Sequence, residues 1–177
     1  HHPTKRTPQI LATTPSPPTV FQDWIKGFRV SQAQLERVFQ FDIMEGIKRC
    51  ISDRITTEGI THIPVRSSPT RRHVLYMYNH DTTYPTETQP RPRWVVCDPD
   101  DMMVMIDQIT LQFDIAFCDW DEVNRTRMQK TQDDKDRYNL YMLKVEGKDF
   151  RRHRDRYRNE LRNWLCEKVV YSTPTAG

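Results

Sequence analysis

At 177 residues, with 36% hydrophobic content and a mean hydropathy of −0.81, the chain has room for one domain with a lean core. The formal net charge is +3, and the absence of any run of about 18 apolar residues excludes a membrane-spanning helix. Only five glycines occur, and no Gly-rich phosphate loop, so dinucleotide and P-loop chemistry is excluded as well.

Residues 1–20 hold five prolines, several threonines and the pair Lys5-Arg6. Proline and this polar composition support neither helix nor sheet, so an extended arm is expected. Fixing such an arm costs about 1–2 kcal/mol per residue, which a contact surface must offset. That surface is either the chain's own domain or a neighbouring subunit; the lean core favours the neighbour, with Lys5, Arg6, Ile10, Leu11 and Val20 as the contacts.

One domain is expected over residues 21–171. Ser31 and Gln34 have capping-box spacing, and Leu35, Val38, Phe39, Met44, Ile47, Cys50, Ile51 and Ile55 recur at helical spacing, which predicts one helix over 31–55. His73–Tyr78 and Arg93–Cys97 have strand composition, separated by a Pro-rich loop over 79–92. A short helix is expected from Pro99 to Gln108, then a strand over 110–117, where Leu111, Phe113, Ile115 and Phe117 alternate with more polar residues. Residues 139–145 fit either a strand or a helix end. Lys148–Val170 predicts a second long helix with Phe150, Tyr157, Leu161, Trp164, Leu165 and Val169 on one face. Residues 172–177 complete the chain as a tail. The expected fold is therefore α+β: a small mixed sheet of about three to four strands, flanked by two long helices, with an extended Pro-rich N-terminal arm.

Charge is unevenly distributed. Residues 98–122 hold eight Asp or Glu and no Lys or Arg, a net −8, whereas 123–177 carry +6. Within the acidic island, Cys97-Asp98-Pro99-Asp100-Asp101 and Cys118-Asp119-Trp120-Asp121-Glu122 repeat one pattern after an apolar run. Asp98 and Asp119 suit helix N-caps, with Pro99 at the first helical position and acids in the first turn. The alternative is a Mg²⁺ site from Asp98 and Asp100, or Asp119 and Asp121. Asp119-x-Asp121 after an apolar run resembles the nucleophile motif of haloacid-dehalogenase-like phosphatases, and no other motif of that family accompanies it.

A second catalytic alternative is a Mg²⁺-dependent nuclease or phosphoesterase. It would place Asp114 on one strand and Glu146-Gly147-Lys148 at the end of the next, the carboxylates holding the metal and Lys148 steadying developing charge. Arg151, Arg152, Arg156, Arg158 and Arg162 form a basic helix able to meet nucleic acid or an acidic partner, although Asp155 is placed to pair with Arg151 and Arg158, and Glu160 with Arg156. Ser68-Pro69-Thr70-Arg71 fits a proline-directed phosphorylation site at Ser68. The four cysteines lack C-x-x-C pairing, so zinc is not expected, and their apolar neighbourhoods predict buried thiols in a reducing compartment.

These features lead to one expectation: a non-enzymatic structural or interaction subunit of a larger intracellular multiprotein assembly, anchored by its arm and needing no cofactor. Its partners would be other protein subunits, with nucleic acid as the alternative through the basic helix. The chain begins at His1 rather than Met, which favours an organelle such as the mitochondrion over the nucleus.

Overall fold

A computed structural model describes residues 11, 14–81 and 91–171. Three helices come first: α1 (Phe21–Lys26), α2 (Gln32–Gln40) and α3 (Ile43–Glu58). Strands β1 (Val65–Ser68), β2 (Arg71–His80) and β3 (Pro92–Val96) follow. The chain then runs through α4 (Pro99–Asn124), a 3₁₀ turn at Arg127–Gln129, α5 (Gln132–Glu146), α6 (Lys148–Arg152) and α7 (Arg154–Lys168).

The fold is α+β, and the sheet is a three-stranded antiparallel meander in the order β1-β2-β3. It is not mixed: the one parallel pairing among the described residues is an isolated bridge from Ser67 to Val170. There the chain leaving α7 runs along the edge of β1, with Ser67 N–H donating to the Val169 carbonyl at 3.0 Å and Tyr171 N–H to the Ser67 carbonyl at 2.8 Å. Those bonds occupy an edge that would otherwise present open backbone donors and acceptors.

Strand periodicity divides the sheet's side chains between two cores. Val65, Leu75, Met77, Val95 and Cys97 face the main core, which the helices complete with Phe28, Ile47, Ile51, Ile106, Phe113, Leu161 and Leu165. Tyr76 and Trp94 point the other way and form a second, smaller cluster with Leu11, flanked by Val74, Tyr78, Val96 and Tyr171. Leu11 is fully buried there. This arm residue thus packs on the chain's own sheet. Lys5, Arg6 and Ile10 lie outside the described residues, as do the 82–90 portion of the expected loop and the 172–177 tail.

Each of the two long helices expected from the sequence is interrupted. The first breaks at Phe41-Asp42, where Asp42 adopts an extended conformation and its carboxylate accepts from Glu45 N–H at 2.8 Å. A capping acid inside an apolar run starts a new helix, and α2 folds back on α3 instead of continuing it. Close approach of the two is possible because Gly46 is buried: a Cβ there would sit 2.2 Å from a Val38 methyl and 2.9 Å from the Phe113 ring. The second breaks at His153, which separates α6 from α7.

The stretch 110–117 is not a strand but the middle of α4, a helix of 26 residues. Its alternation has a helical explanation. Phe113 and Phe117 are four residues apart and share one helix face, and Leu111 and Ile115 share another. Four residues of period-two pattern are therefore compatible with both structures, and the flanking Met102, Met105, Ile106 and Ile109, all buried, decide for the helix. Residues 139–145 are helical for the same reason, within α5.

Candidate interaction site

The acidic clusters and Asp114 lie on α4 or at its start. Its first turn is fixed by a reciprocal capping box: Asp101 N–H donates to the Asp98 carboxylate at 2.8 Å, and Asp98 N–H donates to the Asp101 carboxylate at 3.1 Å. Pro99 occupies the first helical position. The inward face is sealed by Met102, Met105, Ile106, Ile109 and Phe113. The outward face is also apolar. Val104 is 55% exposed, Leu111 50% and Ile115 46%, and the Cys118 thiol is exposed beside them. At about 100° per residue these four side chains fall in a strip about 60° wide and about 21 Å long.

Beside the strip runs a row of aspartates spaced seven residues apart, Asp100, Asp107, Asp114 and Asp121. Three of them meet cations of this same chain. Arg154 pairs with Asp107 at 2.8 Å, Arg151 approaches Asp114 at 3.8 Å, and Arg125 pairs with Asp121. Asp121 is buried and also accepts from the Tyr138 hydroxyl at 2.7 Å. The Arg125 hydrogen bond holds the Asp121 carboxyl below the usual range, and the same carboxylate pushes the Tyr138 phenol up. On the other edge of the strip Asp119 is exposed, as is Glu122 at its end, and neither forms an ion pair among the described residues. The acidic island is thus a helix with one carboxylate edge paired at three of its four positions and the other edge open. The seven-residue rows of Asp and of Val104, Leu111 and Cys118 were the sequence signal for this arrangement.

The sequence-predicted sites fare differently. Asp98 is a cap. Asp119 is not, because it lies in the interior of α4, where the backbone amides two and three residues on are already bonded within the helix. Asp100 is exposed in the first turn, and Asp121 is claimed by Arg125 and Tyr138. Among the described residues no group of three or more His, Cys, Asp or Glu is close enough to hold a metal ion.

Asp114, Glu146 and Lys148 sit on three helices rather than at strand ends. Asp114 and Glu146 are near enough to interact: burial is the main cause that raises the Asp114 carboxyl, Arg151 opposes it, and the Glu146 charge adds to it. Glu146 ends α5, and Gly147 takes a left-handed conformation at φ +58° to close that helix. Glu-Gly-Lys is therefore a helix stop. Lys148 lines a separate cleft with Ile43, Met44, Leu143 and Phe150.

The arginines of the basic segment are largely paired. Arg151 meets Asp114 instead of Asp155, Arg156 meets Asp149 at 3.5 Å instead of Glu160, and Arg158 meets Asp155 at 3.1 Å as expected. Glu160 turns to Lys48. Arg152 is exposed with no ion pair among the described residues. Arg162 donates to Asn163 at 3.4 Å, and its Nε is buried without a hydrogen-bond partner.

Ser68, the phosphorylation candidate, is a buried residue of β1, bonded to the Thr70 hydroxyl at 2.9 Å. A kinase would have to open the β1–β2 hairpin to reach it. Val20 is half-buried immediately before α1. Of the four free cysteines, Cys50, Cys97 and Cys166 are buried, and burial pushes their thiols up, Cys50 to about 12 and Cys166 to about 11. Cys118 departs from the expected buried set because it faces out from α4. No family model matches the chain, and neither does any curated protein or solved structure.

Proposed function

We propose that the chain is an interaction subunit of a multiprotein assembly and that it docks through the outward strip of α4. The observation that carries this is the row Val104, Leu111 and Ile115, about half exposed on a helix whose other face is sealed. Scattered surface apolar residues are ordinary, but an aligned strip edged by carboxylates is the shape that receives another helix. The fitting partner is an amphipathic helix with an apolar seam flanked by Lys or Arg, because Asp119 and Glu122 offer open negative charge at its edge and end. A reducing intracellular compartment is part of the proposal, supported by four unpaired thiols. Leu11 of the arm packs on the chain's own sheet.

The test is a titration with two designed helical peptides that share a Leu seam, one flanked by Lys and one by Glu, followed by tryptophan fluorescence. The Lys peptide should bind and the Glu peptide should not. The double substitution Leu111→Gln, Ile115→Gln should abolish binding at little cost to the unfolding midpoint, because both side chains are about half exposed and glutamine adds no charge to the helix. Equal binding of the two peptides, or binding that survives the double substitution, would remove this face from the proposal.

A further inference from the structure

The ion pairs along α4 consume charge that the sequence had offered to nucleic acid, and they draw attention to where positive charge is left over. A cleft of about 300 Å³ lies between α2, α3 and α7, lined by Arg37, Glu45, Lys48, Arg49, Ser52, Trp164 and Lys168. Its lining holds four cations and one carboxylate. Glu45 is stretched between two of those cations, 3.8 Å from both Arg37 and Lys48. Carboxylates beside the cleft take part of the charge, Asp53 on Arg49 at 3.0 Å and Glu160 on Lys48 at 3.5 Å. Lys168 has no ion pair among the described residues, and its ammonium sits 5.8 Å from the centre of the Trp164 ring. The Lys48 ammonium lies 6.0 Å from the same ring. Each lysine carries three donors and each arginine five, so donors remain in excess of the acceptors present.

We propose that this cleft binds the phosphates of a single-stranded nucleic acid, with Trp164 as the surface on which a base rests. Cations supplied by three helices around one concave space suit a multiply charged oxygen ligand better than a single carboxylate. A half-buried indole with two ammonium groups about 6 Å from its centre gives the base a flat neighbour, and stacking of this kind tolerates any base. Stacking on the indole needs a base free of a pairing partner, which a single strand offers and a duplex does not. The site differs from the basic segment in geometry: its cations line one concave space between three helices, whereas Arg151 and Arg154 turn to Asp114 and Asp107 of α4. Its lining includes no residue of α4, so loss of one site leaves the other in place.

The experiment is fluorescence anisotropy of a labelled oligo-dT with the whole chain at about 50 and about 200 mM salt. Affinity should fall with a logarithmic slope of about −2, which corresponds to about three phosphates at −0.7 each. The pair Arg49→Gln, Lys168→Gln should weaken binding at least about tenfold at low salt and flatten the slope by about 1.4. Trp164→Leu should weaken binding while leaving the slope unchanged. Lys168→Gln alone removes an exposed, unpaired charge, so it keeps the test valid should the double substitution fold poorly. Arg151→Gln with Arg152→Gln should leave binding intact. Loss of binding that follows Arg151 and Arg152 instead of Arg49 and Lys168 would overturn the proposal. So would absence of binding at low salt, equal affinity for duplex, or displacement by inorganic phosphate as effective as by unlabelled strand.

Discussion

Asp98 and Asp119 each stand second in a Cys-Asp-x-Asp segment, yet only the first stands where a helix begins. An N-cap carboxylate satisfies an amide that has no intrahelical partner, and loss of it costs about 0.5–2 kcal/mol. Asp98→Ala should therefore lower stability by that amount in urea unfolding, and Asp119→Ala, exposed in mid-helix, should change it by no more than about 0.5 kcal/mol. Equal losses at both positions would contradict the placement of α4. Asp101 adds a dependence on pH. Burial, then the neighbouring Asp98 and Asp100, push its carboxyl up to about 6, against about 3.9 for an unfolded chain. Between those values the folded state binds more protons, so this group's contribution is full below about pH 4 and is lost as pH rises through about 6. Asp101→Asn keeps an acceptor for the Asp98 amide and removes the charge. Its unfolding midpoint relative to the parent should rise between about pH 4 and pH 7; parallel curves would refute the shift. Gly46 gives a third test at this scale. Gly46→Ala should cost about 1–3 kcal/mol, because overpacking against Val38 and Phe113 outweighs the better helix propensity of alanine.

At the scale of elements, the legible parts were those with a local chemical marker. Ser31 and Gln34 form the expected capping box, and β2 and β3 fall where β-branched and aromatic residues cluster. The misassigned parts were those where a local pattern had two solutions. In α4 the alternation of Leu111, Phe113, Ile115 and Phe117 matched a strand over too short a window to exclude a helix. In α2–α3 the apolar spacing ran through Asp42 with no Gly or Pro to signal the break. The helical assignment makes an element-level prediction. Thr110→Pro, placed inside α4, should cost about 3 kcal/mol or more by removing a helix hydrogen bond. A strand there would tolerate it only at an edge, so unfolding combined with far-UV circular dichroism separates the two. The edge strand β1 escaped notice because Val-Arg-Ser-Ser lacks an alternating apolar pattern. It is completed by β2 on one side and by the chain at Val170 on the other.

Over the whole molecule, the sheet needs both faces covered, and that decides the role of the arm. Leu11 sits fully buried against Tyr76 and Trp94. Truncation of a buried leucine costs about 2–5 kcal/mol, the transfer free energy plus the cavity it leaves. Leu11→Ala should show that loss in equilibrium unfolding of the isolated chain. An arm that served only a neighbour would leave the isolated chain's stability unchanged.

The sequence by itself determined the α+β class, the cap at Asp98 and the segregation of acid from base, each of which rests on side-chain chemistry within a few residues. It placed all four cysteines inside, and Cys118 faces out. Only the tertiary structure decided which charges cancel. Asp107 and Arg154, or Asp114 and Arg151, are far apart in the chain and meet because α4 runs beside the basic segment. It also decided that Arg37, Lys48 and Lys168 share one cleft, since they come from three helices. Coulomb interactions depend on distance in space, and sequence fixes that distance only within one element.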